Sequence, residues 1–248
     1  MAIPRIHCDL KLGPGAQFAL DADAAQHVAK SLRLKAGDAL LVFDGRGGEY
    51  EATIQRIDRD RVDVKVGALR EAERESRLAL GLVQGLPEAD KMDWIIQKAT
   101  ELGVAWVQPL TCERSVVRLS GERAARREAH WRRVAIAAAE QSGRTRIPEV
   151  RPTLGFMSWL AVPADTPRWL LSPDAAPLSA QPVAPSPLEL LVGPEGGFSE
   201  RERELLLARG CIPVALGPRV LRTETAPVAA LAAIHALWGD FRGTDPAT

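Results

Sequence analysis

The chain has 248 residues, an apolar fraction of 46% and equal numbers of basic and acidic side chains, so its formal net charge is zero. That length is enough for two modest domains, and the balanced charge argues against a broad, nonspecific nucleic-acid binder. No apolar run approaches the roughly 20 residues that a membrane helix needs, and the first residues lack the apolar centre of a signal peptide. We therefore expect a cytoplasmic protein that does not associate with a membrane.

Cysteine and histidine residues are few and widely separated. Cys8, Cys112 and Cys211 form no pattern of pairs, and the four histidines show no metal-ligand spacing. We therefore expect reduced, buried thiols, no disulfide framework and no metal ion, in agreement with a cytoplasmic location.

The first part of the chain alternates short strand-like runs with turns. Residues 44–48 include three glycines and separate the apolar runs Leu40–Phe43 and Tyr50–Ile54, which is typical of a β-hairpin. A helix is expected over Asp23–Leu34. These patterns predict a small β-rich domain with one helix over residues 1–70.

A charged linker is predicted over residues 71–77, after which strand and helix patterns alternate. The alternation predicts a mostly parallel sheet covered by helices over residues 78–242, followed by a tail, residues 243–248. The expected strands are Leu78–Val83, Val104–Leu110, Trp169–Leu171, Leu190–Val192 and Cys211–Leu216. The expected helices are Ala89–Leu102, Glu122–Ser142, one that begins at Ser199 and one that begins at Thr225.

The predicted helix Glu122–Ser142 carries basic side chains at helical spacing. This basic stripe consists of Arg123, Arg126, Arg127, His130 and Arg133. Apolar residues of the same helix, Trp131 among them, face another way and are expected in the core. The stripe indicates either an RNA contact or an ordinary solvated helix face.

Two glycine-marked strand ends follow each other near the end of the chain. Each apolar run stops at Gly-Pro, first at Gly193 and then at Gly217, and leads through a polar loop into a predicted helix. In open α/β sheets, ligands bind outside the carboxyl ends of the strands. The two loops therefore predict one shared pocket, built largely from backbone, although a lone glycine-rich turn can be only a turn.

The first of these loops narrows the ligand class. Gly196 and Gly197 permit close backbone approach, and Ser199 with Glu202 fits a capping box at a helix start. The loop carries Glu195 and no Lys, so a phosphate would be repelled, and no dinucleotide or P-loop fingerprint is present. A ligand with hydroxyls, an amine or a positive centre fits better, and S-adenosylmethionine (SAM) is such a ligand.

At these loops the chain resembles the ribosomal small subunit methyltransferase E family. The resemblance begins with Gly193–Phe198 and Leu216–Ala226 and covers nearly the whole chain. Further matching segments are Arg33–Leu34, Gly37–Asp38, Phe43–Gly45, Lys91, Asp93, Gln97–Gly103, Pro109, Arg114–Ser115, Glu140–Ser142, Arg144 and Ile147–Pro148. The chain departs from the family at Gln26–His27, where paired histidines are common, and in the Pro-rich segment Pro173–Pro187.

The resemblance implies a SPOUT-superfamily enzyme that uses SAM to methylate N3 of a uridine in 16S rRNA of the small ribosomal subunit. It also implies a PUA-like barrel over residues 1–70, a kind of domain that often contacts RNA and whose alternative role is dimerisation or stability alone. A trefoil knot that includes Leu216–Thr225 and a homodimer that completes the active site are implied as well. Two alternatives stay open: a non-catalytic RNA-binding ribosome-assembly factor, and a SPOUT methyltransferase acting on another RNA nucleotide. A nicotinamide-dependent enzyme is disfavoured because its glycine fingerprint is missing.

The resemblance also implies site residues. Arg222 is expected to stabilise charge on the uridine carbonyls, and Glu224 is either a base or a residue that serves the start of the last helix. The expected cofactor-binding residues are Leu171, Gly193, Pro194, Glu195, Gly196, Gly197, Leu216, Gly217, Leu221, Arg222, Thr223, Thr225 and Ala226. The expected RNA-binding residues are Arg5, Arg33, Arg46, Arg114, Arg123, Arg126 and Arg144.

Overall fold

A computed structural model gives the architecture of the chain and describes residues 3–59, 61–71, 74–88, 90–163 and 165–243. The chain divides into two compact units. The first consists of Met1–Glu75 and Ala139–Ile147, and the second of Ser76–Ala138 and Pro148–Thr248. Residues 72 and 73 of the predicted linker, Ala89 at the predicted helix start and residues 244–248 of the predicted tail lie outside the described residues.

The described part of the first unit forms a five-stranded sheet. Its strands are β1 Arg5–His7, β2 Gln17–Ala19, β3 Ala39–Phe43, β4 Glu49–Asp58 and β5 Arg61–Arg70. The order is β1-β3-β4-β5-β2, and all neighbours are antiparallel except β1 and β3. The predicted hairpin between β3 and β4 is confirmed. Burial alternates along β5, where Val62, Val64 and Val66 point into the core.

The predicted helix Asp23–Leu34 is shorter and less regular than expected. An α-helix, α1, covers Ala22–Gln26, and its N-cap Asp21 accepts a hydrogen bond from the backbone of Ala24 at 2.8 Å. A π-helical stretch, His27–Ser31, follows, and Arg33 then takes a positive φ of 54°. The wider π turn ends the helix early, because its backbone hydrogen bonds no longer follow the α-helical ladder.

The described part of the second unit forms a seven-stranded sheet in which every strand pair is parallel. Its strands are β6 Leu80–Gly85, β7 Trp106–Thr111, β8 Glu149–Val150, β9 Leu154–Gly155, β10 Arg168–Leu171, β11 Leu188–Val192 and β12 Ile212–Val214. The order is β12-β10-β11-β6-β7-β8, and β9 also pairs with β7. The predicted parallel sheet is therefore confirmed.

Helices connect these strands. They are α2 Lys91–Glu101, α3 Gly121–Ser142, α4 Phe156–Ala161, α5 Glu200–Ala208 and α6 Thr225–Trp238. Every residue of β6 and β11 is buried, as expected of strands covered on both faces. None of the described helices is both long and apolar enough to cross a membrane. Because β12, β10 and β11 are neighbours and parallel, their carboxyl ends lie side by side, and the loops that follow them meet.

Candidate functional site

A cavity of about 610 Å³ opens beside the carboxyl ends of β10, β11 and β12. This volume is within the range of roughly 300–1,000 Å³ that is usual for small-molecule sites. Every cofactor-binding residue expected from the sequence lines it except Thr225, which is an exposed residue at the start of α6. The structure thus brings the predicted residues together, and their contact with a cofactor stays a prediction.

The loop after β11, Gly193–Gly197, is here called the glycine loop. Gly197 has a φ of +66°, and its backbone N–H donates to the carbonyl of Pro194 at 2.8 Å. A Cβ atom on Gly193 would lie 2.9 Å from the backbone nitrogen of Phe198 and 3.0 Å from the carbonyl carbon of Gly197. The backbone of this loop is therefore folded tightly on itself, and only glycine fits at position 193.

Side chains from two other segments hold the glycine loop in place. Lys91 Nζ lies 2.7 Å from Glu195 Oε1, and the backbone N–H of Glu88 donates to the same oxygen at 3.0 Å. Arg114 Nη1 donates to the carbonyl of Gly196 at 2.9 Å. The loop is therefore fixed near both Glu195 and Gly196.

The ion pair between Lys91 and Glu195 changes one expectation. Burial alone would raise the pKa of Glu195, but the hydrogen bonds from Lys91 and from the backbone lower it below its ordinary value. The hydrogen bond to Glu195 raises the pKa of Lys91. The expectation that an uncompensated Glu195 repels phosphate is therefore incomplete, because α2 supplies the lysine that the loop itself lacks.

The capping box predicted after this loop is confirmed. Ser199 Oγ accepts from the backbone N–H of Glu202 at 3.1 Å, and Glu202 Oε2 accepts from the backbone N–H of Ser199 at 2.9 Å. The other carboxylate oxygen of Glu202 accepts from the backbone N–H of Glu113 at 2.8 Å. One buried carboxylate therefore fixes the start of α5 and the segment that carries Arg114.

The loop after β12, Leu216–Glu224, is here called the arginine loop. Thr223 Oγ1 donates to the carbonyl of Gly193 at 2.7 Å and accepts from Gln84 Nε2 at 3.1 Å. Gln84 is fully buried in β6, and the sequence reasoning missed it. The available signal was a lone polar residue inside an apolar strand. A single hydroxyl thus ties the arginine loop to the glycine loop.

The rest of the arginine loop exposes its side chains beside the cavity. Val220 is 82% exposed, the side chain of Arg222 is 83% exposed, and Arg219 also lines the cavity. Glu224 Oε1 lies 4.0 Å from Arg222 Nη1, which is beyond hydrogen-bond distance. Lys91, Ser172, Pro173, Val192, Val214, Arg219 and Val220 line the cavity without having been expected there.

The residues around the cavity suit SAM. Backbone groups of both loops can serve an adenine and ribose, and apolar side chains such as Leu171 and Leu221 can cover its carbon chain. Two polar atoms of lining residues, Ser172 Oγ and Glu224 Oε2, are buried and have no hydrogen-bond partner among the described residues. Buried polar groups normally have a partner, so these two atoms have unused hydrogen-bonding capacity at the wall of the cavity.

Two of the expected RNA-binding arginines lie inside the first unit, Arg144 buried and Arg5 with only 10% of its side chain exposed. Arg5 donates through Nε to Glu49 at 2.9 Å and through Nη1 and Nη2 to the carbonyls of Ala139 and Arg144 at 2.8 and 2.9 Å. Arg144 pairs with Glu75 at 2.7 Å. Because these guanidinium groups hold the unit together, we leave Arg5 and Arg144 out of the RNA contacts proposed below.

The other five expected RNA contacts, Arg33, Arg46, Arg114, Arg123 and Arg126, are exposed. Arg126 lies 3.6 Å from Glu122 of the same helix. Two further members of the basic stripe contact carboxylates of the second unit, Arg127 with Asp90 at 3.2 Å and His130 with Asp93 at 2.7 Å. The stripe is therefore partly neutralised.

The apolar face of α3, the helix that carries the basic stripe, is in the core as predicted, and Trp131 is 2% exposed.

The three cysteines are free and buried, as expected. Burial raises the pKa of Cys8 and of Cys112 to about 12, so both stay protonated at neutral pH. Among the described residues, no group of three or more His, Cys, Asp or Glu side chains is arranged to hold a metal ion.

Known families match both units. Residues 74–235 match the family described as an RNA methyltransferase domain. Residues 20–67 match the family described as an RNA methyltransferase PUA domain, which confirms the predicted PUA-like character of the first unit.

Relatives of known name and solved structures are similar over almost their whole length. Ribosomal RNA small subunit methyltransferase E of Bacillus subtilis is 34% identical over 228 residues, which are 88% of this chain and 89% of that protein. A Legionella pneumophila protein described as a methyltransferase, solved with bound SAM, superposes with a TM-score of 0.93 at 36% identity, over 97% of this chain and 100% of that one. The methyltransferase E of Neisseria gonorrhoeae, also bound to SAM, superposes with a TM-score of 0.90 at 35% identity, with the same coverage.

Proposed function

This chain belongs to the ribosomal RNA small subunit methyltransferase E family, and we propose that it methylates N3 of a specific uridine in 16S rRNA with SAM as methyl donor. One observation carries the proposal. The glycine loop and the arginine loop, which carry the family resemblance, line one cavity of suitable volume at the carboxyl edge of a parallel sheet. Solved relatives with bound SAM support the choice of cofactor.

SAM, when bound, supplies a methyl group activated by its sulfonium. The chain then has to hold donor and acceptor in line at short distance, which alone supplies a large part of the rate. The backbone of the glycine loop, fixed by Lys91 and Arg114, forms one wall for the cofactor. Leu216, Gly217 and Leu221 of the arginine loop form the other wall, and the hydroxyl of Thr223 keeps the two walls in register.

Arg222 is the residue that we assign to the acceptor. N3 of uridine is an imide nitrogen whose proton must leave before or during attack, and the negative charge then spreads to the two flanking carbonyl oxygens. The exposed guanidinium of Arg222 offers a planar set of donors beside the cavity, which suits those oxygens. For Glu224 the sequence left two roles open, a base and a residue that serves the start of α6, whose N-cap position it occupies.

The target uridine has to be reachable. Its N3 lies on the base-pairing edge, so we expect a single-stranded nucleotide or one that is turned out of its helix. We propose that Arg33, Arg46, Arg114, Arg123 and Arg126 contact the RNA. The proposed first domain, residues 1–70, contains Arg33 and Arg46, and the proposed methyltransferase domain, residues 78–242, contains the others.

Three further features complete the proposal. The segment Leu216–Thr225 lies in a trefoil knot, a rare feature that the superfamily resemblance implies. The placement of β12 beside β10 instead of beside β11, its neighbour along the chain, agrees with such a path. The protein is a homodimer, and it acts in the cytoplasm, where its proposed substrate is found. An experimental density map traced through residues 216–225 and a light-scattering mass test the first two features.

Mass spectrometry of 16S rRNA tests the proposed activity. Digested rRNA from a strain that lacks the protein should miss one N3-methyluridine, and the intact gene should restore it. Purified protein and SAM should also methylate that rRNA in vitro. Loss of a different modified nucleotide would favour a SPOUT enzyme with another target. Unchanged modification, together with SAM binding, would favour a non-catalytic assembly factor.

A further inference from the structure

The carboxylate of Glu224 has no hydrogen-bond partner among the described residues, although it belongs to the wall of the cavity. Its Oε2 atom is shielded from solvent and has no partner, and its Oε1 atom lies 4.0 Å from Arg222 Nη1. Its side chain is 20% exposed. Rotation about the last side-chain bond exchanges the two oxygens, so a donor in the cavity can reach the carboxylate.

The other charged groups of the cavity wall compensate this negative charge only weakly, and they donate no hydrogen bond to it. Lys91 is 2.7 Å from Glu195, the second carboxylate of the wall, and that ion pair is complete. The Arg222 side chain is 83% exposed and makes no hydrogen bond to Glu224. A half-buried carboxylate is costly unless a cation or several donors pair with it.

The chemistry of SAM offers three groups to such a carboxylate. The sulfonium has no N–H or O–H to donate. A carboxylate beside it would also stabilise the positive charge of the reactant, which is lost in the transition state, and so would slow methyl transfer. A ribose hydroxyl donates a hydrogen bond but leaves the negative charge unpaired. The α-ammonium group provides both the donors and the opposite charge.

We propose that Glu224 binds the α-ammonium group of SAM, and this inference rests on the proposed function. Glu224 then orients the amino acid end of the cofactor and is not the base that removes the N3 proton. S-Adenosylhomocysteine, the product, keeps the same ammonium group, so Glu224 contributes equally to both ligands. The contribution is absent for 5′-methylthioadenosine, which keeps the adenine and ribose but lacks the amino acid part.

Isothermal titration calorimetry of the full-length protein with these three ligands tests the inference. The variant Glu224→Gln keeps the shape of the side chain and removes its charge. It should lower the affinities for SAM and for S-adenosylhomocysteine by the same factor, roughly tenfold to a hundredfold, as expected for the loss of a hydrogen bond to a charged group. The affinity for 5′-methylthioadenosine should change by less than about twofold, which also shows that the variant is folded.

Glu195→Gln is the matched control, because Glu195 is the other carboxylate of the wall and already has a partner. It should change the affinities for all three ligands by the same factor.

Three outcomes for Glu224→Gln would each overturn the assignment: an equal loss of affinity for all three ligands, a loss of affinity for SAM alone, or no loss of affinity. If the unmodified protein binds none of the three ligands, the proposed function itself fails. If it binds them and Glu224→Gln does not discriminate, only the role of Glu224 fails.

Discussion

The two loops of the cavity differ in how they are held. The glycine loop is fixed by its own backbone and by contacts from Lys91, Glu88 and Arg114. Side-chain hydrogen bonds tie the arginine loop back at Thr223, and most of its length presents exposed side chains. One wall of the cavity is therefore mainly rigid backbone, and the other is mainly side chain.

This difference indicates a division of roles. A cofactor has one structure in every cycle, so rigid backbone groups can bind it without reordering at each turnover. An RNA target arrives as part of a large and variable surface, and exposed side chains can adapt to it. We therefore expect changes in the glycine loop to affect cofactor affinity, and changes at the exposed side chains of the arginine loop, Arg222 above all, to affect methyl transfer.

The largest expected effect is that of Arg222→Ala. It should lower the rate of methyl transfer about a hundredfold or more, because it removes donors aimed at developing charge. Affinity for SAM should change by less than about threefold, since the guanidinium extends into solvent. Single-turnover assays with 16S rRNA and calorimetry measure the two quantities. Arg201→Ala, on the exposed side of α5, is the control, and an equal loss of rate and affinity would contradict the assigned role.

Gly193→Ala, in contrast, should mainly lower the affinity for SAM. The added Cβ meets the backbone of Phe198 and Gly197, so the loop has to shift at a cost of about 1–3 kcal/mol. Affinity for SAM should fall roughly tenfold to a hundredfold. Calorimetry checks this. Gly155→Ala is the control, because its Cβ has no atom within 4 Å. Unchanged SAM affinity in Gly193→Ala would show that the cofactor does not use this wall.

Thr223→Val tests the tie between the loops. The substitution keeps the shape but removes the hydroxyl, which leaves Gln84 Nε2 and the Gly193 carbonyl with one partner fewer. We expect a loss of about 1–3 kcal/mol in the free energy of unfolding and a decrease of SAM affinity by roughly tenfold. Urea unfolding and calorimetry measure both. The control is Thr225→Val, because Thr225 is exposed and does not line the cavity; it should change neither the free energy of unfolding nor the SAM affinity. If the two variants behave alike, the hydrogen bonds of Thr223 do not stabilise the site.

The smallest effect is expected for Lys91→Met. The pair with Glu195 is partly exposed, so SAM affinity should fall by about threefold or less. The pKa of Glu195 is lower in the folded chain, so the stabilisation is present at neutral pH and is lost as the pH falls through the folded pKa, below the ordinary 4.5. Thermal unfolding of both proteins should therefore differ slightly at pH 7, and the difference should shrink as the pH falls below 4.5. A difference that persists at the lower pH would point to packing of the lysine stem instead.

Local patterns predicted the elements that have local causes. The run of turn residues gave the hairpin between β3 and β4, and Ser199 with Glu202 gave the start of α5. The cavity wall was also predictable, because each of its loops follows an apolar strand that ends at Gly-Pro. Periodicity did not predict the π-helical ending after α1, which depends on how the backbone hydrogen bonds shift there.

Sequence patterns could not predict contacts between residues that are distant along the chain. Gln84 and Lys91 contact the loops only because β6 pairs with β11 and α2 follows β6. No residue close to the loops in sequence indicates these contacts. The burial of Arg5 is a similar case, since its partners include carbonyls far along the chain. A charge count treats such an arginine as a surface residue.

The strand order has a consequence for synthesis of the protein. β6 is made early but pairs with β11, and β10 pairs with β12, which is among the last segments to be translated. Parallel pairings between distant segments form slowly. A nascent chain that ends before Ile212 lacks β12 and the whole arginine loop, and therefore one wall of the cavity. On the proposed function, we expect methyl transfer only when translation of the messenger is nearly finished.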